Sequence, residues 1–189
     1  MLQPPDEELR RAASGDERAL EVLVRTYDGP VYSYLYRLVG DATEAEDLSQ
    51  EVFVRMARGL GDFGGRSRFS TWLFQIARNV GIDHLRRREA ERARAPRAFR
   101  VPPAGRDAVE EFEEAQLLWC CIGTLNEDLR SALLLRDLLG FSYKEIAVIL
   151  DTTLSTVKWR IYTAREHVQA RFREAESSMQ ARPVPEAKR

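Results

Sequence analysis

Between residues 69 and 88 the apolar positions Phe69, Leu73, Ile76, Ala77, Val80 and Leu85 recur at steps of three, four or five. That spacing predicts a helix with one buried stripe. The opposite face carries Gln75, Arg78, Asn79, Arg86, Arg87 and Arg88, with Asp83 as its only acid. The same period marks residues 6–25, with a fresh start at Asp16, which can cap a second helix by accepting from free backbone N–H groups. A third segment, 31–39, follows Gly29-Pro30 and stops at Gly40, a usual helix terminator. Residues 41–60 predict an amphipathic helix with Ala45, Leu48, Val52, Phe53, Met56 and Leu60 inward. Its separate polar face holds Asp47, Gln50, Glu51 and Arg55.

In the second half, Val109, Phe112, Leu117, Leu118, Cys121, Ile122 and Leu125 give one helix, and residues 130–139 another, ended by Gly140. Ser142 and Glu145 form the S-x-x-E pattern of a capping box before a short helix over 143–150. After the turn at Asp151-Thr152, Thr153 can cap a longer helix from Leu154 to roughly residue 173. A short helix, a tight turn and a longer basic helix make a helix-turn-helix, whose second helix enters the major groove. With Val157, Ile161, Ala164 and Val168 inward, Ser155, Thr156, Lys158, Trp159, Tyr162, Thr163 and Arg165 are left for DNA. Residues 89–106 hold Pro96, Pro102, Pro103 and Gly105 and no helical period beyond Ala95. The expected fold is therefore all-α, with two small helical domains over 1–90 and 108–174. A flexible basic linker over 91–107 joins them, and a disordered tail follows over 175–189.

Charge sharpens this picture. The chain of 189 residues has a net charge of −1, so the total does not suggest nucleic acid. Its distribution does: residues 62–106 hold eleven arginines against four acids, and the segments 41–51 and 107–128 are acidic. Such segregation is expected where one surface meets phosphate and others meet protein. The glycine-hinged loop 62–68, with Phe63, Arg66 and Arg68, suits capture of an extruded base by stacking and phosphate contact. Cys120 and Cys121 are adjacent and the two histidines, His84 and His167, are isolated, so neither a metal set nor a nucleophile-base pair can be built. No metal, catalytic residue, cofactor or small-molecule substrate is expected. An apolar run long enough to span a membrane is absent, which predicts a cytoplasmic protein.

The runs AEDLSQEVFVRM, FSTWLFQIARNVGIDHLRRR, LRSALLLRDLLGFSYKEIAVIL and TVKWRIYTAREHV together resemble the extracytoplasmic-function sigma factors of the sigma-70 family. The resemblance covers roughly residues 16–172 and identifies the halves as sigma domain 2, a four-helix-type bundle, and sigma domain 4. It implies a promoter-specificity subunit of bacterial RNA polymerase that is itself no enzyme. Asp47, Gln50 and Glu51, with Arg55 on the same face, would meet the clamp helices of the polymerase largest subunit. Asn79 would read a −10 base on the non-template strand. The loop with Phe63, Arg66 and Arg68 would capture a flipped base, and Arg78, Arg86, Arg87 and Arg88 would hold phosphates. Trp72 is expected in the core. The helix-turn-helix would read the −35 duplex.

The resemblance also implies partners: core RNA polymerase, promoter DNA and an anti-sigma factor, most simply a membrane-anchored one, with the sigma factor itself monomeric. The sequence departs from the family's pattern at Asp151 and Ser155, where Gly is usual, at Trp159, where Ser is usual, and at Thr163, where Arg is usual. Asp tolerates left-handed backbone and keeps the turn. Loss of an arginine removes the commonest guanine contact, worth ~1–3 kcal/mol, so the −35 element should differ from the family's AAC-containing one. Thymine methyls would meet Trp159 or Tyr162. Asn126, where Pro is common, needs no functional reading. The competing account is a dimeric helix-turn-helix regulator acting on duplex DNA alone, which leaves residues 63–88 without a task.

Overall fold

The computed structural model describes residues 3–92 and 109–180. Helices α1 (Asp6–Ala13), α2 (Glu17–Val39), α3 (Ala42–Gly59) and α4 (Phe69–Arg92) build the first half, with a 3-10 turn at Leu60–Asp62. Helices α5 (Val109–Gly123), α6 (Glu127–Leu133), α7 (Tyr143–Ile149) and α8 (Leu154–Gln180) build the second. A π-helical turn, Leu134–Leu138, continues α6. Every described element is helical, as the periodicity predicted. The expected linker lies outside the described residues except for Glu91 and Arg92, which finish α4. The expected tail is described only as far as Gln180, within α8.

One boundary was misjudged. Residues 17–39 form a single helix that runs through Pro30, where a break after Gly29-Pro30 was expected. Proline forfeits one backbone hydrogen bond and crowds the preceding turn, at a cost of ~3 kcal/mol or more. The stripe Ala19, Leu23, Tyr27, Val31, Tyr34, Leu35 and Leu38 is nevertheless buried along the whole helix. Burial on that scale, ~1.5–3 kcal/mol for each large side chain, outweighs the local penalty. Helix α2 opens on Asp16, whose carboxylate accepts from the Arg18 and Ala19 N–H groups, and ends on Gly40 at φ 79°.

The halves share one apolar core. Leu35, Phe69, Phe74 and Val80 of the first belong to the same buried cluster as Ala132, Leu135, Phe141 and Ile146 of the second. Phe74 meets Phe141 edge-on at 5.2 Å between ring centres. Two buried polar links accompany that packing: Tyr34 Oη lies 2.6 Å from Ser131 Oγ, and Arg130 Nη1 donates to the Leu38 carbonyl at 2.7 Å. The second terminal nitrogen of Arg130, Nη2, donates to the carbonyls of Gly123 and Leu125, each at 2.7 Å. Arg130 thus caps the ends of α2 and α5 at once. A smaller cluster, with Cys121, Ile122, Leu125, Leu129, Leu133, Ala164 and Val168, holds α5 and α6 on α8.

Candidate nucleic-acid interface

The helix-turn-helix is assembled by short-range chemistry. Ser142 Oγ accepts from the Glu145 N–H, and the Glu145 carboxylate accepts from the Ser142 N–H at 2.9 Å, closing the expected capping box at the start of α7. The turn depends on Asp151 at φ 48°, the only described non-glycine residue with positive φ. Aspartate is one of the few side chains that visits this left-handed region without a large penalty. Thr153 then caps α8, its hydroxyl accepting from the Thr156 N–H at 3.2 Å and sharing a hydroxyl bond with Ser155 at 2.9 Å.

Helix α8 buries Val157, Ile161, Ala164 and Val168. Its other side carries Trp159 at 61% and Tyr162 at 66% exposure, the two most exposed of the large apolar side chains described. Ser155, Lys158 and Arg165 are exposed beside them, while Thr156 and Thr163 are half-buried. Arg165 is not free: it forms two hydrogen bonds to the Asp137 carboxylate, which hold its guanidinium above its ordinary pKa. What remains free is a polar and aromatic ridge of Ser155, Lys158, Trp159 and Tyr162.

The first-half face is more divided than the sequence suggested. Asn79, Arg66, Arg68, Arg86 and Arg87 are exposed. Phe63 is half-buried, its ring 5.1 Å from Trp72 and 5.9 Å from Phe69, so the loop's aromatic side chain is packed into the aromatic cluster. Trp72 belongs to that cluster, as expected of a core aromatic. The Arg78 side chain is only 17% exposed; it reaches Asn79 Oδ1 at 3.3 Å and Asp128 Oδ1 at 3.4 Å. Arg88 turns away from Arg86 and Arg87. It donates to Glu44 at 2.7 Å and to the Val39 carbonyl at 3.1 Å, and His84 approaches the same Glu44 oxygen at 3.0 Å. Arg88 therefore ties α4 to α3 and to the end of α2. On α3, Asp47, Gln50 and Arg55 are exposed and Glu51 half-buried, with Glu51 and Arg55 paired across one turn.

Residues that the sequence reading passed over lie between the halves. Asp128 accepts from Arg160 at 2.6 Å as well as from Arg78. Glu145 lies 3.4 Å from Arg68, and Glu127 lies 3.7 Å from Arg86. Partial burial pushes the Glu145 carboxyl up, yet its bonds to Ser142 and the Arg68 charge together hold it below the ordinary carboxylate range. The one signal in the sequence was the acidic character of 107–128, which assigned that segment to protein contact without naming the surface it meets.

A capped helix-turn-helix with an aromatic reading ridge, joined to a second helix lined with arginines, defines a DNA-binding protein of transcription. More narrowly, the chain belongs to the extracytoplasmic-function sigma factors of the sigma-70 family and is a promoter-specificity subunit of RNA polymerase. Sigma-70 region 2 matches residues 23–91, and Sigma-70, region 4, matches residues 115–168. The chain is 35% identical over 181 residues to the RNA polymerase sigma-H factor of Pseudomonas aeruginosa, covering 89% of this chain and 94% of that one. It is 36% identical over 172 residues to the ECF RNA polymerase sigma-E factor of Escherichia coli K12, covering 85% and 90%. Among solved structures it is similar to the sigma factor RpoE of Bartonella quintana in complex with the anti-sigma factor NepR. That match has a TM-score of 0.70 at 25% identity and covers 81% of this chain and 96% of that one. It is also similar to CnrH in complex with the cytosolic domain of CnrY, with a TM-score of 0.66 at 26% identity over 86% and 93%.

Proposed function

We propose that the two halves divide promoter recognition between them, α8 reading the −35 duplex and α4 with its preceding loop holding the unpaired −10 strand. The observation that supports this most is the joint presence, in one chain, of an outward Trp159 and Tyr162 on a capped recognition helix and an exposed Asn79 between arginines on α4. Ser155, Thr156, Lys158, Trp159, Tyr162 and Thr163 supply base and backbone contacts in the duplex, with Arg165 at the rim. Arg66, Arg68, Arg78, Arg86 and Arg87 set affinity and register on the single strand, while Asn79 supplies sequence, because phosphate contacts position and base contacts specify. Phe63 contributes to base capture once its ring leaves the Trp72 cluster. Unstacking a base costs a few kcal/mol, which stacking and polymerase contacts offset.

On α3, Asp47, Gln50, Glu51 and Arg55 form the docking face for core polymerase. No chemistry is assigned to the chain itself, which acts as a non-catalytic, monomeric, cytoplasmic factor without cofactor. The similar sigma factor RpoE of Bartonella quintana is seen with the anti-sigma factor NepR, and we assign this chain such a partner, anchored in the membrane. Binding of labelled protein to purified core polymerase tests the docking face. Asp47→Ala/Gln50→Ala is expected to weaken binding at least ten-fold, about 1.4 kcal/mol, with the helical circular dichroism unchanged. Equal affinity of variant and parent would remove α3 from the interface.

A further inference from the structure

Lys158, Tyr162 and Arg165 recur at steps of four and three, so they share one exposed face of α8. Arg165 is braced from another element. Its Nε donates to Asp137 Oδ2 at 3.0 Å and its Nη2 to Asp137 Oδ1 at 2.5 Å. Asp137 belongs to the π-helical turn Leu134–Leu138, which is closed by the Leu139 N–H on the Leu134 carbonyl at 3.1 Å. Such turns are rare and hold one residue more per hydrogen-bonded ring than an α turn, so they redirect the side chains around them. Arg136 of the same turn lies 5.0 Å from the Tyr143 ring centre and donates to the Phe141 carbonyl at 2.9 Å. The two charged residues of the turn therefore reach both helices of the helix-turn-helix, α7 through Tyr143 and α8 through Arg165.

We infer that Asp137 is a positioning residue for duplex binding, setting the Arg165 guanidinium so that its remaining N–H groups meet a backbone phosphate beside the bases read by α8. The inference rests on the assignment of α8 to duplex DNA and adds the residue that fixes its register. A guanidinium carries five N–H donors in a planar fork. Asp137 takes one on Nε and one on Nη2, which leaves three on the edge away from the carboxylate. The Arg165 side chain is 51% exposed, so that edge is open to a phosphate. Between Leu154 and Arg165 the only other arginine, Arg160, is turned to Asp128 at 2.6 Å, so Arg165 is the arginine this face offers. Held by two bonds, its side chain has less rotamer freedom left to lose when DNA binds. Against that gain stands a carboxylate close to a polyanion. The two effects have opposite signs, which makes the role of Asp137 measurable.

The test reads the anisotropy of a short fluorescent duplex of mixed sequence with the full chain at low salt, where phosphate contacts dominate. Asp137→Ala is expected to bind about three-fold more weakly than the parent, with helical circular dichroism unchanged. Charge alone predicts the reverse, because an acid beside the phosphates has been removed. Unchanged or tighter binding overturns the positioning role. Asp137→Arg/Arg165→Asp exchanges the partners and keeps an ion pair between the turn and α8, but turns a carboxylate toward DNA. It is expected to bind about ten-fold more weakly. Parent-like affinity in this variant would make the pair a strut between elements and overturn the proposal. Should Asp137→Ala lose helicity, Asp137→Asn is judged by the same criterion. Lys158→Ala reports separately on α8 as the duplex-binding helix. Weakened binding in Lys158→Ala with none in Asp137→Ala removes the positioning role alone, whereas parent-like affinity in both removes α8 from the duplex.

Discussion

Tyr34 shows how much a single side chain carries here. It is fully buried, its hydroxyl is shared with Ser131 across the two halves, and burial raises its pKa from 10.0 to about 12 despite that bond and the Arg78 charge. Tyr27 is raised to about 12 as well, again mainly by burial. A group whose folded pKa is raised contributes stability that is complete below its unfolded value and is lost as pH rises through the folded one. The window for both is therefore pH 10 to 12. Tyrosinate absorbance should show Tyr27 and Tyr34 ionising late, together with unfolding. Tyr34→Phe should remove one late group while keeping the ring contact with Phe74. Simultaneous ionisation of all six tyrosines near pH 10 would contradict the buried placement. At this scale the sequence was most legible where chemistry is local. Ser142 with Glu145, Asp151 and Thr153 could each be assigned because their partners lie within three or four residues. Tyr34 and Ser131, 97 positions apart, could not.

At the scale of elements, helix packing explains both the successes and the misjudged boundary. Period alone gave the buried stripes of α3, α4 and α8, since a stripe repeats within its own helix. Pro30 was read by a local rule, whereas the continuity of α2 depends on a core contributed by other helices. Gly81 makes a related tertiary point. A Cβ built there falls 2.6 Å from Leu38 Cδ2 and 3.2 Å from Leu35 Cδ2, both on fully buried leucines of α2. The close approach of α4 to α2 thus requires glycine, although the backbone at Gly81 is ordinary helix. Gly81→Ala gains helix propensity, ~1 kcal/mol, but overpacking costs ~1–3 kcal/mol. A net loss of stability in urea unfolding is the expected outcome, and a gain would show that α2 and α4 are not so tightly apposed. Phe63 belongs at this scale too: its position in an aromatic loop was visible, but its packing on Trp72 depends on where α4 begins.

For the whole molecule, the segregated charge of a nearly neutral chain acquires a structural meaning. The acidic start of the second half and the arginines of α4 face each other, so the chain partly neutralises the surface proposed to hold the −10 strand. That arrangement was beyond sequence reading because its ion pairs join residues 41 to 77 positions apart, and pairing over such separations leaves no periodic trace. The family and its two regions were legible, by contrast, because they reside in contiguous motifs. Run-off transcription from a random-promoter pool with purified core polymerase and this protein, followed by sequencing of the initiated transcripts, measures the division directly. The account predicts initiation that depends on the protein and selects two spaced elements, with the −10 element lost in Asn79→Ala and the −35 element altered in Trp159→Ser. A silent polymerase, with the protein still selecting a palindromic duplex by itself, would contradict it.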